Sequence, residues 1–224
     1  MNNALVIGSS GVLGQAICQR FLDDGWLVTR AGRSEIDGGS SVLESKWAER
    51  FAPESIDAVV WASGTNVVDS ILTTDELSLT SMYEANILYL HRTATALLKS
   101  QSLNSPCRFV VISSIWQSIA KANKYSYAVT KSALGGLVRS WSIDLAHLDI
   151  AVNSVLPGVV DSPMSRRNLS DSELQKIILE TPLGRLVSAS EVAAVVIWLS
   201  STSSSGITGE GIVVDGGWTW SKNV

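Results

Sequence analysis

The stretch Ala4-Leu5-Val6-Ile7-Gly8-Ser9-Ser10-Gly11-Val12-Leu13-Gly14 decides the fold. Four apolar residues run into three glycines spaced three apart, and a helix-period pattern starts at Val12. Read as strand, turn and helix, this is an arrangement that binds a pyrophosphate. The first glycine permits a tight turn, the second lets the backbone approach the phosphates, and the third lets helix and strand pack closely. The start of the helix then offers unpaired N–H groups and a positive end to the anion. Gly8, Ser10, Gly11, Val12, Leu13 and Gly14 are the expected cradle of a dinucleotide.

Outward from this loop, short Val/Ile-rich runs alternate with helix-period segments. Strands are predicted at 4–7, 26–31, 57–62, 108–113, 150–156 and 211–215. Helices are predicted at 12–24, 41–51, 75–100, 125–147 and 188–201. The first carries Leu13, Ile17, Phe21 and Leu22 on one face and stops at Gly25. The second carries Val42, Leu43, Trp47 and Phe51. The fourth turns Leu134, Leu137, Trp141 and Leu145 inward. The last opens on a capping box, Ser188-x-x-Glu191. Continuous apolar strands alternating with helices imply a parallel sheet covered on both faces. The expected fold is α/β: a single Rossmann-type domain over 1–224, with a doubly wound parallel sheet. Ligands then bind beyond the carboxyl ends of the strands. The segment 162–185 reads as irregular, and a long connection there is a lid over a site.

Composition narrows the function. The chain has 224 residues, 46% hydrophobic, with net charge −4, enough for one good core. An acidic balance gives no electrostatic case for nucleic acid or an anionic membrane. No apolar run approaches the roughly 18 residues of a membrane span, and no secretory signal is read at the N-terminus. Cys18 and Cys107 lie in or beside apolar elements, so buried free thiols in a reducing cytoplasm are expected. His91 and His147 fall on predicted helices without other ligands at metal spacing, so no metal is expected.

Chemistry enters with Tyr127 and Lys131 in SYAVTKSALGGL, four residues apart, and with Ser114 thirteen residues before the tyrosine. Four residues is about one helical turn, so both side chains leave one face. A phenol has an ordinary pKa of roughly 10. An ammonium about 4 Å away favours the phenolate by roughly 4 kcal/mol at an effective dielectric near 20. The expectation is a tyrosine brought toward neutrality, where acid–base catalysis works best. Ser114 adds a hydroxyl to hold a substrate oxygen. At the end of the second strand, where NAD binders usually carry an acid for the ribose 2′-OH, stand Gly32 and Arg33. A guanidinium suits a 2′-phosphate, so NADP (NADPH) is favoured over NAD. Asp37 lies just beyond, in place to approach the adenine amine.

These motifs, in this order, resemble the short-chain dehydrogenase/reductase family nearly end to end. The resemblance rests on the glycine loop, Ala62-Ser63-Gly64 after DAVVWA, Asn86, ISS at 112–114, YAVTK at 127–131, NSVLPG at 153–158 and TGEGIVVDGG at 208–217. The glycine spacing GxxGxxG is commoner in the family's longer branch. NSVLPG, the closing strand and the short length favour the shorter, single-domain branch. Trp61-Ala62-Ser63-Gly64 replaces the Asn-Asn-Ala-Gly common there.

The resemblance implies a catalytic set of Asn86, Ser114, Tyr127 and Lys131. Tyr127 exchanges a proton with a carbonyl or alcohol oxygen, and Ser114 holds that oxygen. Lys131 bonds the nicotinamide ribose, and Asn86 supports a water chain that refills the lysine. It also implies cofactor contacts from Ala62, Ser63, Gly64, Pro157, Gly158, Val160 and Ser162. Substrate contacts are expected from Trp116, Tyr125, Met164 and Trp218; Arg166-Arg167 on the lid reads first as a solvated pair, with contact to an anionic group as the alternative. For Trp61, Trp141 and Trp198, filling the core or a subunit interface is at least as good a reading as lining the pocket. The implied activity is hydride transfer between a nicotinamide and a ketone or secondary alcohol, 3-oxoacyl-type or another small carbonyl. The implied assembly is a homodimer or homotetramer through the two long helices. Two alternatives stand beside it: an epimerase or dehydratase acting on a nucleotide sugar, and a non-catalytic NADP-binding sensor.

Overall fold

The computed structural model describes residues 1–32, 46 and 49–221. Arg33, Asp37 and most of the helix expected at 41–51 lie outside them. So do the side chains of Pro163, Met164 and Asn168.

Six parallel strands form one sheet among the described residues: β1 (Asn3–Ile7), β2 (Leu27–Ala31), β3 (Ile56–Trp61), β4 (Leu103–Ile112), β5 (Ile150–Pro157) and β6 (Gly211–Val214). Their spatial order is β2-β1-β3-β4-β5-β6. The chain leaves β1 for β2 on one side and returns to β3 on the other. The order therefore reverses at β1 and β3, and a crevice opens beyond their carboxyl ends. Ile7 pairs with Trp61, and Trp61 with Val111. Gly8, Ala62 and Ile112, next in each chain, thus emerge side by side at that edge.

Side chains alternate between two cores, as the period of two along a strand requires. Leu5, Ile7, Val59, Trp61, Phe109 and Val111 face one way. They pack under α3 (Tyr89–Lys99) and α4 (Tyr125–Asp144), through Leu90, Leu97, Leu134 and Val138. Ala4, Val6, Ala58, Val60, Val110 and Ile112 face the other way. They meet α1 (Val12–Asp23) and the last helix, α7 (Ala189–Ser200), through Ile17, Phe21, Val192 and Val196. Trp61 is fully buried with its ring edge-on to Phe109 at 4.9 Å, and its indole N–H donates to Thr93 at 2.7 Å. A buried tryptophan needs such a partner. Cys18 and Cys107 are buried free thiols.

Three expectations change. Leu22 is 46% exposed, and Cys18 takes the inward place on α1. Leu22 is one residue past Phe21, so its side chain swings about 100° round the axis and off the inward stripe. The segment 162–185 is not irregular but holds two short helices, α5 (Pro163–Asn168) and α6 (Asp171–Glu180). Ser162 caps the first, and a Ser170–Glu173 capping box opens the second. The helix expected at 75–100 is interrupted: α2 (Glu76–Tyr83) passes into a π turn, Glu84–Leu88, before α3. Such single-turn bulges often mark functional positions, and this one contains Asn86.

Candidate active site

At the end of β1 the chain turns through Gly8 with φ of 84°, a conformation that favours glycine. A Cβ on Gly14 would lie 2.2 Å from the Gly8 carbonyl oxygen, so α1 abuts the turn directly. Gly11 is different. A Cβ there meets nothing closer than 3.6 Å, leaving space above the loop. Gly11 caps α1 without a side-chain bond, so the first-turn amides of Val12, Leu13 and Gly14 point toward that space with no intrahelical partner. Ser10 is exposed beside them. The buried hydroxyls of Ser63 and Ser113 find no partner among the described residues. An open glycine, helix amides and orphaned hydroxyls at the switch point fit the pyrophosphate and sugars of a dinucleotide.

The four residues expected at the reaction centre converge. Ser114, just past β4, is buried and accepts the amide of Trp116 at 3.4 Å. The Ser114 hydroxyl is near enough to the Tyr127 phenol to favour its ionised form. Lys131 is buried one turn along α4, and its Nζ lies 5.6 Å from the centre of the Tyr127 ring. That amine donates to the carbonyl oxygen of Ile112 at 3.1 Å. Asn86 is 1% exposed. Its Nδ2 donates to Thr130 Oγ1 at 3.0 Å and to the Thr65 carbonyl at 3.1 Å, while its Oδ1 accepts the Thr65 amide at 2.9 Å. Gly64 closes over the group: a Cβ there would be 3.3 Å from Asn86 Oδ1 and 3.5 Å from Lys131 Nζ.

The electrostatics run opposite to the expected lowering of the tyrosine. Burial raises the Tyr127 pKa above its ordinary 10, against a smaller lowering by the Ser114 hydrogen bond. Burial also pushes Lys131 down from 10.5 to about 8. Desolvation penalises both charged forms, and one proton of the ammonium is held by the Ile112 carbonyl. At neutral pH the pair is a protonated phenol beside a cationic amine whose hold on its proton is loose.

The structure adds residues that the sequence did not single out. Thr130, inside the Tyr127–Lys131 stretch, joins Asn86 to α4. The start of α4 is bound by a loop running from Thr65 to Thr74. Lys124 Nζ donates to Asn66 Oδ1 at 3.0 Å and lies 5.8 Å from the centre of the Tyr127 ring. Asp69 accepts both the amide and the hydroxyl of Ser126. No spacing motif links these partners, which stand more than fifty residues apart.

Beyond β5, the Gly158 amide donates to the Val214 carbonyl at 3.0 Å, carrying Pro157-Gly158 toward the end of β6. Val160 bridges to Val187, and its carbonyl accepts the Ser165 hydroxyl at 2.6 Å. The Ser162 hydroxyl is engaged as the cap of α5, accepting the Ser165 amide at 3.1 Å. Arg166 is held by Asp161 through two hydrogen bonds at 2.9 and 3.0 Å, and Arg167 is exposed. Met164 lies on α5, its side chain outside the described residues. Trp116 meets Trp218 edge-on at 5.9 Å. Together they wall a cavity of about 670 Å³ with Gln117, Arg139, Ser154 and Trp220. Ser114, Tyr125 and Tyr127 do not line it. Among the described residues no cluster of His, Cys, Asp and Glu could hold a metal ion, and no helix is long and apolar enough to cross a membrane.

Comparison with known proteins gives concordant matches. The family model described as Enoyl-(Acyl carrier protein) reductase matches residues 41–219. The chain is 29% identical over 237 residues to the 3-oxoacyl-[acyl-carrier-protein] reductase FabG of Salmonella typhimurium, covering 96% of each. It is 31% identical over 191 residues to the uncharacterized oxidoreductase YmfI of Bacillus subtilis, covering 85% of this chain and 76% of the relative. Among solved structures, a short chain dehydrogenase family protein from Francisella tularensis superposes with a TM-score of 0.85 at 26% identity. That match covers 98% of this chain and 99% of the other.

Proposed function

The chain belongs to the short-chain dehydrogenase/reductase family of nicotinamide-dependent oxidoreductases, and from that premise we propose that it reduces a 3-oxoacyl-type or other small ketone to the secondary alcohol, with NADPH as reductant. The observation that carries this reading is the convergence of buried Ser114 and buried Lys131 on Tyr127, with Lys131 Nζ 5.6 Å from the centre of the Tyr127 ring. The 3-oxoacyl substrate class is drawn from the FabG relatives. The preference for NADP comes from Arg33 in place of an acid after β2.

When bound, the nicotinamide supplies the hydride that the carbonyl carbon accepts. Tyr127 gives its phenolic proton to the carbonyl oxygen, which would otherwise become an alkoxide. Ser114 donates a hydrogen bond to the same oxygen and orients it. An ammonium has three protons. At Lys131 one is held by the Ile112 carbonyl, and the others are available to a ribose hydroxyl and to the path that reprotonates Tyr127. Asn86 fixes the π turn against Thr65 and Thr130, and so sets the floor beneath Lys131. The amides of Val12 and Leu13, with Gly8, Ser10, Gly11 and Gly14, would hold the pyrophosphate. Ala62, Ser63 and Gly64 would contact the nicotinamide ribose. Pro157, Gly158, Val160 and Ser162 would contact the carboxamide. The segment 162–185 is the lid, and Trp116 and Tyr125 border the substrate.

The protein works as a homodimer or homotetramer on this reading. Leu77 and Tyr83 on α2 and Val129 and Ile143 on α4 are exposed apolar residues, in line with pairing through those helices. The test of function is direct. Purified protein should consume NADPH with a panel of ketones and 3-oxoacyl thioesters, forming alcohol in equal amount. No consumption with any of them, despite tight NADPH binding, would remove the reading in favour of a nucleotide sensor.

A further inference from the structure

The start of α4 carries an inference beyond the four residues at the reaction centre. Lys124, which precedes the helix, makes no side-chain cap bond. The cap comes instead from Asp69, 57 residues earlier: its Oδ1 accepts the Ser126 amide at 3.0 Å and its Oδ2 accepts the Ser126 hydroxyl. Thr74 Oγ1 stands 3.3 Å from the same hydroxyl. The backbone joins too. The Tyr125 amide donates to the Asp69 carbonyl at 3.2 Å, and Asp69 forms a parallel bridge with Lys124. Asp69 is 8% exposed and Ser126 is fully buried.

The same loop grips α4 a second time. Thr65, four residues before Asp69, is held by Asn86, which also holds Thr130. Tyr127 lies between Ser126 and Thr130. Its stretch of helix is therefore pinned on both sides by one loop, once through Asp69 and once through Asn86. A buried carboxylate is tolerated only when its oxygens are hydrogen-bonded, and here they are. Burial raises the Asp69 pKa, but the Ser126 hydroxyl and amide, then Thr74 and Lys124, outweigh it and leave the group below its ordinary value.

We propose that Asp69 is a positioning residue: through Ser126 it fixes the first turn of α4, and with it the Tyr127 phenol against Ser114. The proposal rests on reading Tyr127 as the proton donor. A misplacement of about 1 Å at a reacting group costs about 10²-fold in rate. Asp69→Ala should therefore lower kcat about 10- to 100-fold and leave the KM for NADPH unchanged. Asp69→Asn keeps an oxygen for the Ser126 amide and should recover part of kcat. Ser126→Ala removes only the hydroxyl, and stays informative should Asp69→Ala fold poorly.

The deciding measurement needs no turnover. Hydrogen exchange of the amides of residues 126–130 should quicken in Asp69→Ala and Ser126→Ala, while β1 and β4 stay protected as in the parent protein. Unchanged exchange at 126–130 would overturn the proposal, whatever the rates do. So would a kcat of Asp69→Ala equal to the parent's. An Asp69→Asn protein as impaired as Asp69→Ala, with NADPH binding lost in both, would mark a general folding defect and overturn it equally. If the parent reduces no carbonyl, the proposed function falls, and the exchange result still decides whether Asp69 holds Tyr127.

Discussion

Lys131 Nζ lies 5.6 Å from the centre of the Tyr127 ring and donates to the carbonyl oxygen of Ile112 at 3.1 Å. The amine is buried and its pKa falls to about 8. A base depressed in the folded state binds its proton more weakly there than in the unfolded chain. Below pH 8 both states carry the proton, and the penalty of burying the charge is present in full. Between about 8 and the ordinary 10.5 the folded state sheds its proton first, so stability from this group rises with pH. Lys131→Met removes the penalty. It should stabilise the protein more at about pH 7 than at about pH 9.5, as read from urea melts of parent and variant. An equal difference at the two pH values would show that Lys131 titrates normally.

Activity should carry the same signature. Tyr127 is shifted above 10 by burial, so the protonated acid for reduction persists through neutral pH. A fall in kcat/KM for reduction that begins near pH 8 then belongs to Lys131. Lys131→Arg, which stays charged, should move that fall upward. Tyr127→Phe should lose about 10²- to 10⁴-fold in kcat, the usual weight of a positioned acid. Ser114→Ala should lose kcat as well. NADPH binding by fluorescence should survive in both. Full turnover in Tyr127→Phe would rule out the phenol as proton donor.

The glycine loop separates folding from binding. Alanine at Gly14 would drive its Cβ to 2.2 Å from the Gly8 carbonyl, with Ser9 Cα at 2.8 Å. Backbone atoms cannot yield cheaply, and overpacking of this kind costs about 1–3 kcal/mol or more. Gly14→Ala should therefore lower Tm and NADPH affinity together. Alanine at Gly11 meets nothing nearer than 3.6 Å, so Gly11→Ala should keep the parent Tm and lose affinity alone. Loss of Tm in Gly11→Ala would mean that the second glycine serves packing, not phosphate.

What was legible in the sequence was what repeats or lies close along the chain. The apolar runs named the strands, because a sheet covered on both faces favours apolar residues on both sides of each central strand. The glycines at 8, 11 and 14 named the first turn, and Tyr127 with Lys131 named the face of α4. The π turn at Glu84–Leu88 was hidden, since one extra residue in a helix leaves the composition unchanged. The helices α5 and α6 were hidden by their short, polar sequences, although Ser170 and Glu173 stand at capping-box spacing. Asp69 was invisible for a different reason. Its partner Ser126 is 57 residues away, and only the parallel sheet brings the loop after β3 beside the helix after β4. Spacing reports proximity but not burial, and burial decides the direction at Tyr127 and Lys131.

Arg33 offers the test of cofactor choice. It follows the end of β2 by two residues, where a carboxylate would otherwise read the ribose 2′-OH. A guanidinium there would bond a 2′-phosphate, and hydrogen bonds to charged groups contribute about 1.5–3 kcal/mol. Arg33→Ala should therefore weaken NADPH about 10- to 100-fold and leave NADH nearly unchanged, since NADH carries no phosphate to lose. Arg33→Asp should go further and tighten NADH by supplying the missing carboxylate. Titration of both reduced cofactors by fluorescence, at two ionic strengths, separates the contact from general charge. A direct ion pair survives salt better than long-range attraction does. If both variants bind NADPH as the parent does, Arg33 is a solvated charge and the preference for NADP has no basis at this position.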